Sequence, residues 1–401
     1  MKKQLTMLIL MISLVYSNFY GPSTLSFEKT WMITGVGGTT IELDGIFIVN
    51  NTYQKVVDIQ VSDGATFTDE AGVIKVKYNG TMKDENKEIT AKVVVDVLYA
   101  PILPEDHEVS LIGIVTDGYA AYDNEINSKA IELAEENSAY HTVAEITNWV
   151  NKYITYDISY FGENIPATQT FQDKRGVCVE YSHLLIAMLR SIGLDTRYVS
   201  GYVYGKEWQP HAWVEVLVGN YWIPIDPTFG EAQFLDNTHL IMYRGKDQGE
   251  IFDKITSNKK LDFETVEEVS VLSSSKSNDK LASATYSFDE KNELLMISLK
   301  NTMNTPVFVT YELTIPLDAG KGERTIVYLK PKETKVFEYK INAGYLQSGM
   351  IYNIPINIMI NDQETEYDLV ITKENETPVK RSLCPTAVIL GIAIVAAFAR
   401  R

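Results

Sequence analysis

Apolar and polar residues alternate through the first quarter of the chain, and this period of two predicts β-strands. Turn residues, among them Gly37-Gly38 and Asp63-Gly64, separate the alternating runs. We therefore predict a small β-domain over residues 24–105. The five predicted strands are Thr30–Val36, Ile41–Val49, Val56–Val61, Val73–Tyr78 and Thr90–Tyr99.

The pattern changes to helical spacing in the middle of the chain. Glu125–Glu136 and Thr142–Tyr153 predict two helices, and Val179–Ile192 predicts a third that Gly193 ends. Cys178 then lies in the first turn of the third helix, where unpaired N–H groups and the helix dipole stabilise an anion. Because the thiolate is the reactive form of cysteine, Cys178 is a candidate nucleophile.

A predicted hairpin supplies two further groups. His211–Val218 and Tyr221–Asp226 predict strands, and the two residues between them form the turn. In this register Trp213 lies opposite Asp226, so His211 and Asp226 are diagonal neighbours on one face. Cys178, His211 and Asp226 are thus the parts of a nucleophile, base and orienting carboxylate. They make a poor zinc set, and no calcium loop occurs, so no metal or other cofactor is predicted.

Several motifs of this central region resemble the core of the transglutaminase-like superfamily, whose members have a papain-like fold. The resemblance covers roughly residues 126–232. It implies that Cys178 is the nucleophile, that His211 is the general base and acid, and that Asp226 orients His211. The motifs are Lys174–Cys178, Tyr181–Leu189, Gly193–Arg197, Ser200–Tyr202, His211–Glu215 and Asp226–Thr228.

The same resemblance suggests an oxyanion hole. Gln172 lies six residues before Cys178, the spacing at which papain-like enzymes keep an oxyanion-hole glutamine, and the backbone N–H of Cys178 would be the second donor. Gln169 is a nearby competitor. His141 and His183 are rival bases by residue type, and for His183, five residues after Cys178, we predict a packing or surface role.

Alternating runs return over residues 282–372, with spacing and turns typical of an immunoglobulin-like sandwich. Polar stretches at Ser257–Lys260 and Ser273–Asn278 predict the connection to it. The six predicted strands are Ser283–Phe288, Leu294–Leu299, Val307–Ile315, Glu323–Leu329, Lys335–Ile341 and Tyr352–Ile360.

Composition narrows the classes of partner. The net charge of −17 repels phosphate backbones, so a nucleic-acid partner is not expected. The chain has two cysteines, Cys178 and Cys384, which is too few for a disulfide framework. Cys178 is the single cysteine of the predicted folded part, so in an exported protein its thiol has no partner there for a disulfide and is expected to be free.

Both ends of the chain carry targeting signals. Met1–Ser17 has the charged start and short apolar core of a secretory signal, with an uncleaved anchor as the alternative. Residues 386–401 are apolar and end in two arginines, a plan that resembles archaeal surface-protein sorting signals. The tail is either a short retained anchor or a signal that is cut and replaced by lipid, for example on Cys384. Sequons at Asn50, Asn79 and Asn375 suit a surface glycoprotein.

These observations predict an α+β protein with a papain-like transglutaminase core between two β-domains. Its function would be hydrolysis of amide bonds in proteins or peptides on the outer face of the cell membrane, as many microbial relatives of this fold are thought to be proteases. The alternatives are a protein-glutamine amine transferase and a non-catalytic surface binding module; the oligomeric state is left open. The predicted segments are a signal (1–17), a β-domain (24–105), the catalytic domain (106–250), the sandwich (262–372), a linker (373–385) and the tail (386–401).

Overall fold

The computed structural model describes residues 21–373, apart from 100–101, 135–137, 251, 276–279, 345 and 362. The predicted signal at Met1–Ser17, the sequon at Asn375, Cys384 and the tail at 386–401 lie outside the described residues. Within the described residues, no helix is both long and apolar enough to cross a membrane.

The first unit begins with six antiparallel strands. Five of them match the predicted strands, and the additional one, β4, is a largely exposed run that carries little apolar signal. The strands are β1 (Ser23–Thr34), β2 (Thr40–Val49), β3 (Gln54–Val61), β4 (Ala65–Glu70), β5 (Val73–Thr81) and β6 (Asn86–Val97).

The central unit combines the helices with a five-stranded sheet. Its helices are α1 (Asn124–Leu133), α2 (Ala139–Tyr153), α3 (Ala167–Asp173) and α4 (Cys178–Ser191). Its strands are β7 (Thr155–Tyr156), β8 (Arg175–Gly176), β9 (Thr196–Tyr204), β10 (Trp208–Val218), β11 (Tyr221–Asp226), β12 (Glu231–Ala232) and β13 (Leu240–Gly245). The sheet has the strand order β12-β11-β10-β9-β13, and β7 pairs with β8 separately.

Helix α4 is the centre of this unit. It is buried on almost every side and packs against β9 and β10 as well as the other three helices. Its polar residues Glu180, His183 and Arg190 are buried together with its apolar ones, so α4 is an interior helix. The sheet and the remaining helices pack around α4.

Two strands after the central unit return to the first unit. They are β14 (Lys254–Ser257), which pairs with β2, and β15 (Asp262–Ser274), which pairs with β1 along its whole length. The first unit therefore has two four-stranded sheets, β15-β1-β6-β3 and β14-β2-β5-β4, around one apolar core. This corrects the predicted start of the second β-domain at residue 262, because residues 262–274 complete the first unit.

The third unit has two antiparallel sheets around its own core, β16-β17-β20 and β19-β18-β21-β22. Six of its strands match the predicted strands, and β22 is additional. The immunoglobulin-like topology of this unit stays a prediction. The strands are β16 (Ala282–Asp289), β17 (Leu294–Asn301), β18 (Val307–Thr314), β19 (Glu323–Leu329), β20 (Thr334–Lys340), β21 (Ile351–Ile360) and β22 (Gln363–Thr372).

A buried lysine joins the distant segments of the first unit. Lys29 on β1 is 5% exposed, and its Nζ lies 2.9 Å from Asp253 Oδ2 and 3.1 Å from Glu267 Oε1. The Nζ also donates to the Ile46 carbonyl oxygen at 3.2 Å, and Trp31 Nε1 donates to Asp253 Oδ2 at 2.8 Å. One cation thus connects β1 to the start of β14 and to β15.

The Lys29→Ala substitution should destabilise the protein by about 3 kcal/mol, because it leaves two carboxylates without their cation in a low-dielectric site. Urea denaturation of the variant and the wild type measures this loss. Lys92→Ala is the matched control, since Lys92 forms an exposed pair with Glu28 that contributes less than about 1 kcal/mol. Equal, small losses in the two variants would contradict this account.

Candidate active site

Cys178 is the first residue of α4, and Val177 alone separates it from the short strand β8. Val177 is extended, with φ −108° and ψ −171°, and its N–H donates to Glu180 Oε2 at 2.9 Å. A Cβ on Gly176 would lie 2.4 Å from the Glu180 Cβ, so glycine makes room for this cap. Cys178 is 9% exposed and lies at the positive end of the helix dipole.

His211 and Asp226 meet on the neighbouring hairpin. Strands β10 and β11 pair in the predicted register around the turn at residues 219–220, with Val218 opposite Tyr221. His211 Nε2 lies 2.7 Å from Asp226 Oδ2, a hydrogen-bond distance. His211 is 7% exposed and Asp226 is 0% exposed, so this pair is shielded from water.

Cys178 lies close enough to the His211 side chain to help raise the pKa of the imidazole. Since Nε2 faces Asp226, Nδ1 is the ring nitrogen left for the thiol. Burial alone would lower the pKa of His211, but the charge and hydrogen bond of Asp226, together with Cys178, outweigh it and raise the pKa to about 9. The structure therefore brings the three predicted residues into one row, with an imidazole that holds its proton near neutral pH.

The other oxygen of Asp226 organises the loop that follows β11. Asp226 Oδ1 accepts from Thr228 N at 2.7 Å and from Phe229 N at 3.0 Å. The Phe229 ring stacks on the His211 imidazole, with ring centroids 4.8 Å apart and planes 20° apart. One carboxylate thus fixes both the hydrogen bonding and the ring orientation of His211.

The third unit contacts this loop. Arg324 on β19 donates to the Phe229 carbonyl oxygen from Nε at 3.3 Å and from Nη2 at 3.2 Å. Thr310 Oγ1 on β18 donates to the Gly230 carbonyl oxygen at 3.2 Å. The loop that carries Phe229 onto His211 is therefore held from outside the central unit.

His239 is a buried residue of this site that sequence reasoning missed. Its Nε2 lies 3.1 Å from Asp226 Oδ2, and its Nδ1 lies 3.1 Å from the Asp236 carbonyl oxygen and 3.3 Å from Asp236 Oδ1. It precedes β13, which reaches the site by pairing with β9. No local pattern marks this contact; the available signal was a histidine three residues after Asp236 and directly before an apolar run.

The two histidines hold Asp226 in its charged form. Burial would raise the pKa of Asp226, but His211 and His239 outweigh it and keep the pKa well below its usual range. Burial would likewise lower the pKa of His239, yet Asp236 and Asp226 raise it well above the ordinary value. Both histidines therefore carry protons at neutral pH.

The two rival histidines lie elsewhere. His183 is 0% exposed and stacks on Tyr119 with ring centroids 5.6 Å apart, and burial lowers its pKa to about 4. It is thus a neutral packing residue of α4, as expected. His141 lies in α2, with its Nε2 4.0 Å from Glu145 Oε1.

Both candidate oxyanion glutamines lie in α3. The Gln172 Nε2 donates to Glu125 Oε2 at 2.7 Å, and the Gln169 Nε2 donates to Asp173 Oδ1 at 2.7 Å. Each amide is thus bound to a carboxylate in this structure, and the oxyanion role of Gln172 stays a prediction.

Among the residues that the structure describes, two groups of side chains come close enough to hold a metal ion. Donor atoms of His211, Asp226 and His239 lie within 4.8 Å of one another, and so do those of Glu231, Asp236 and His239. The nitrogens that face Asp226 are already at hydrogen-bond distance from it, so a metal ion would have to replace these contacts. The arrangement suits proton transfer better than metal binding.

Residues 127–227 match the model of the transglutaminase-like superfamily. An uncharacterized protein of Mycobacterium leprae (strain TN) is 27% identical over 119 residues, which are 27% of this chain and 42% of that protein. An uncharacterized protein of Mycobacterium tuberculosis (strain ATCC 25618 / H37Rv) is 33% identical over 93 residues, 20% of this chain and 29% of that protein. The chain therefore spans less than half the length of these curated relatives.

Solved structures also matched parts of this chain. A candidate cysteine protease from Cytophaga hutchinsonii is 17% identical, covering 64% of this chain and 93% of that chain, with a TM-score of 0.47. The periplasmic domain of TgpA from Pseudomonas aeruginosa is 16% identical, covering 52% of this chain and 90% of that chain, with a TM-score of 0.27. The family match supports a transglutaminase-like domain in the central unit, and its range includes Cys178, His211 and Asp226.

The protein should lose stability as the pH rises from about 6.5 to about 9, because folded His211 keeps a proton that the unfolded chain has released. A group whose pKa is raised by folding contributes its full stabilisation at pH values below its pKa in the unfolded chain. This stabilisation is lost as the pH rises through its pKa in the folded protein. His211→Gln removes this titration, so its stability should depend less on pH in this window. Urea midpoints at three pH values measure the dependence.

His183→Gln is the matched control for this measurement. Its pKa of about 4 lies below the window, so the variant should keep the wild-type slope. A His211→Gln curve parallel to that of the wild type would contradict the assigned protonation of His211.

Proposed function

We propose that the protein is a cysteine enzyme that acts on amide bonds of proteins or peptides through a thioester intermediate. The observation that carries this proposal is the buried row of Cys178, His211 and Asp226, with 2.7 Å between the imidazole and the carboxylate and with Cys178 close enough to the imidazole to help raise its pKa. These are the parts of a nucleophile activated by an oriented base. The family match over residues 127–227 supports the same class.

The proposed reaction has two stages. The Cys178 thiolate attacks the amide carbonyl carbon, and protonated His211 gives its Nδ1 proton to the leaving nitrogen as the C–N bond breaks. Water then attacks the thioester carbonyl while His211 takes a proton from it. The C–S bond breaks, a carboxylic acid leaves, and the thiolate and protonated His211 are restored.

Two features support stabilisation of the developing oxyanion. The Cys178 N–H lies at the start of α4, where the helix dipole favours negative charge. Gln172 is the proposed second donor, and its amide would turn from Glu125 toward the substrate. Such contacts often form only when substrate binds.

We propose hydrolysis as the principal outcome, because transamidation needs a further site that binds an amine and excludes water. We also propose that the protein is exported and tethered to the outer face of the cell membrane. The sequences of Met1–Ser17 and residues 386–401 support this location. The first β unit and the third unit would then present the catalytic unit to substrates outside the cell.

Iodoacetamide should alkylate Cys178 at a pH well below that at which a free thiol, with a pKa near 8.5, reacts. Peptide mapping by mass spectrometry distinguishes Cys178 from Cys384. His211→Ala should shift the labelling of Cys178 to alkaline pH, whereas the control His141→Gln should leave it unchanged. Labelling of the wild type only at alkaline pH or after unfolding would contradict the enzyme proposal and favour a binding module.

N,N-dimethylcasein with and without dansylcadaverine separates the two reaction outcomes. Release of new amino termini would support a peptidase, whereas incorporation of the dansyl amine would instead support the transferase.

Asp226→Asn should lower either activity by about 100-fold or more, because His211 loses its orienting carboxylate. An Asp226→Asn variant with full activity would contradict the assigned role.

Gln172→Ala should lower kcat by about 100-fold with little change in KM, since an oxyanion donor acts mainly in the transition state. Gln169→Ala is the matched control on the same helix and should keep its kcat. Steady-state kinetics on one peptide substrate measures both. A loss confined to Gln169→Ala would transfer the role to Gln169.

A further inference from the structure

We propose that His239 is a positioning residue of the active site, a second cationic partner of Asp226 that tunes proton transfer by His211. The inference rests on the proposed function. It extends the row of side chains to five: Cys178, His211, Asp226, His239 and Asp236.

The hydrogen-bond geometry of His239 requires two donors. Its Nε2 faces a carboxylate oxygen of Asp226 at 3.1 Å. Its Nδ1 faces the carbonyl oxygen of Asp236 at 3.1 Å and the Asp236 Oδ1 at 3.3 Å. These oxygens can only accept, so both ring nitrogens are satisfied together only when each carries a hydrogen. The site therefore holds His239 as an imidazolium, at 0% exposure.

The acceptor capacity of Asp226 is filled in the same arrangement. Oδ1 accepts from the backbone N–H groups of Thr228 and Phe229, and Oδ2 faces His211 and His239. Removing His239 would leave one position of a fully buried carboxylate without its charged partner. His239 thus completes the hydrogen bonding of the group that orients His211.

His239 belongs to a larger network of buried polar groups. Glu231 lies within 4.8 Å of both Asp236 and His239, and the Tyr99 hydroxyl donates to the His239 carbonyl oxygen at 2.9 Å. Arg324 Nη2 lies 3.7 Å from Glu231 Oε1. The titratable and charged groups that face His239 or its partners are Asp226, Asp236, Glu231, His211, Tyr99 and Arg324.

The cation has a defined consequence for His211. The two imidazole rings have centroids 5.8 Å apart, so the charge of His239 opposes the charge of protonated His211. Asp226 alone would make His211 retain its proton more strongly. His239 offsets part of that effect, which helps His211 to release its proton to the leaving nitrogen. The same cation favours the thiolate of Cys178.

His239→Gln tests the inference, because glutamine retains an N–H donor for Asp226 but removes the positive charge. Losing a cation favours the protonated form of every neighbour. The rate of Cys178 alkylation depends on the protonation of both Cys178 and His211. Both transitions in its pH profile should therefore move to higher pH by on the order of one unit. Iodoacetamide rates from about pH 4 to about pH 10, mapped to Cys178, measure the shift.

His183→Gln is the matched control. His183 is also 0% exposed, but its pKa of about 4 means that its loss removes no charge near neutral pH. This variant should keep the wild-type pH profile even where it lowers stability. Circular dichroism and the Tm establish that both variants are folded.

A measurement on the wild type covers the case in which His239→Gln does not fold. Nitrogen NMR of the histidine-labelled full chain should show His239 protonated at both nitrogens at about pH 8. A neutral His239 would overturn the inference, and so would a folded His239→Gln variant whose alkylation profile overlays that of the wild type. An ordinary wild-type thiol profile would overturn the proposed function together with the inference, so the two failures are distinguishable.

Discussion

The buried carboxylate of Asp226 is the group on which the rest of the site depends. It is 0% exposed, and a charge in such a position is stable only when it is paired and hydrogen-bonded. His211, His239 and the backbone of the following loop provide those partners. The same contacts that stabilise the charge also orient the imidazole toward Cys178, so stability of the site and its proposed chemistry have one cause.

All three units of the protein contribute to this arrangement. The central unit supplies Cys178 and His211. The first unit packs on the other side of the catalytic sheet, where Gln54 on β3 donates to the Ile241 carbonyl oxygen at 2.8 Å and accepts from the Ile241 N–H at 2.7 Å, on the strand that follows His239. The third unit holds the loop after Asp226 through Arg324. The flanking units therefore act on the geometry of the site as well as on its surroundings.

Local patterns predicted much of the site and less of the architecture. The helix start at Cys178 and the hairpin carrying His211 and Asp226 depend on residues close in sequence, so periodicity and turn chemistry were sufficient. Strand β15 pairs with β1 more than 200 residues away, and alternation reveals a strand but not its partner. His239 reaches Asp226 through the pairing of β13 with β9, which is likewise a tertiary contact.

The central claim is that Cys178 forms a thioester, and trapping that acyl group tests it most directly. The full chain would be mixed with p-nitrophenyl acetate, quenched in acid and digested, and the acetyl group located by mass spectrometry. The account predicts an acetyl group on Cys178 that disappears with time in water and persists longer in His211→Gln, which lacks the base for the second stage. An acetyl group found only on other residues, or equally on Cys178 of the unfolded chain, would contradict it.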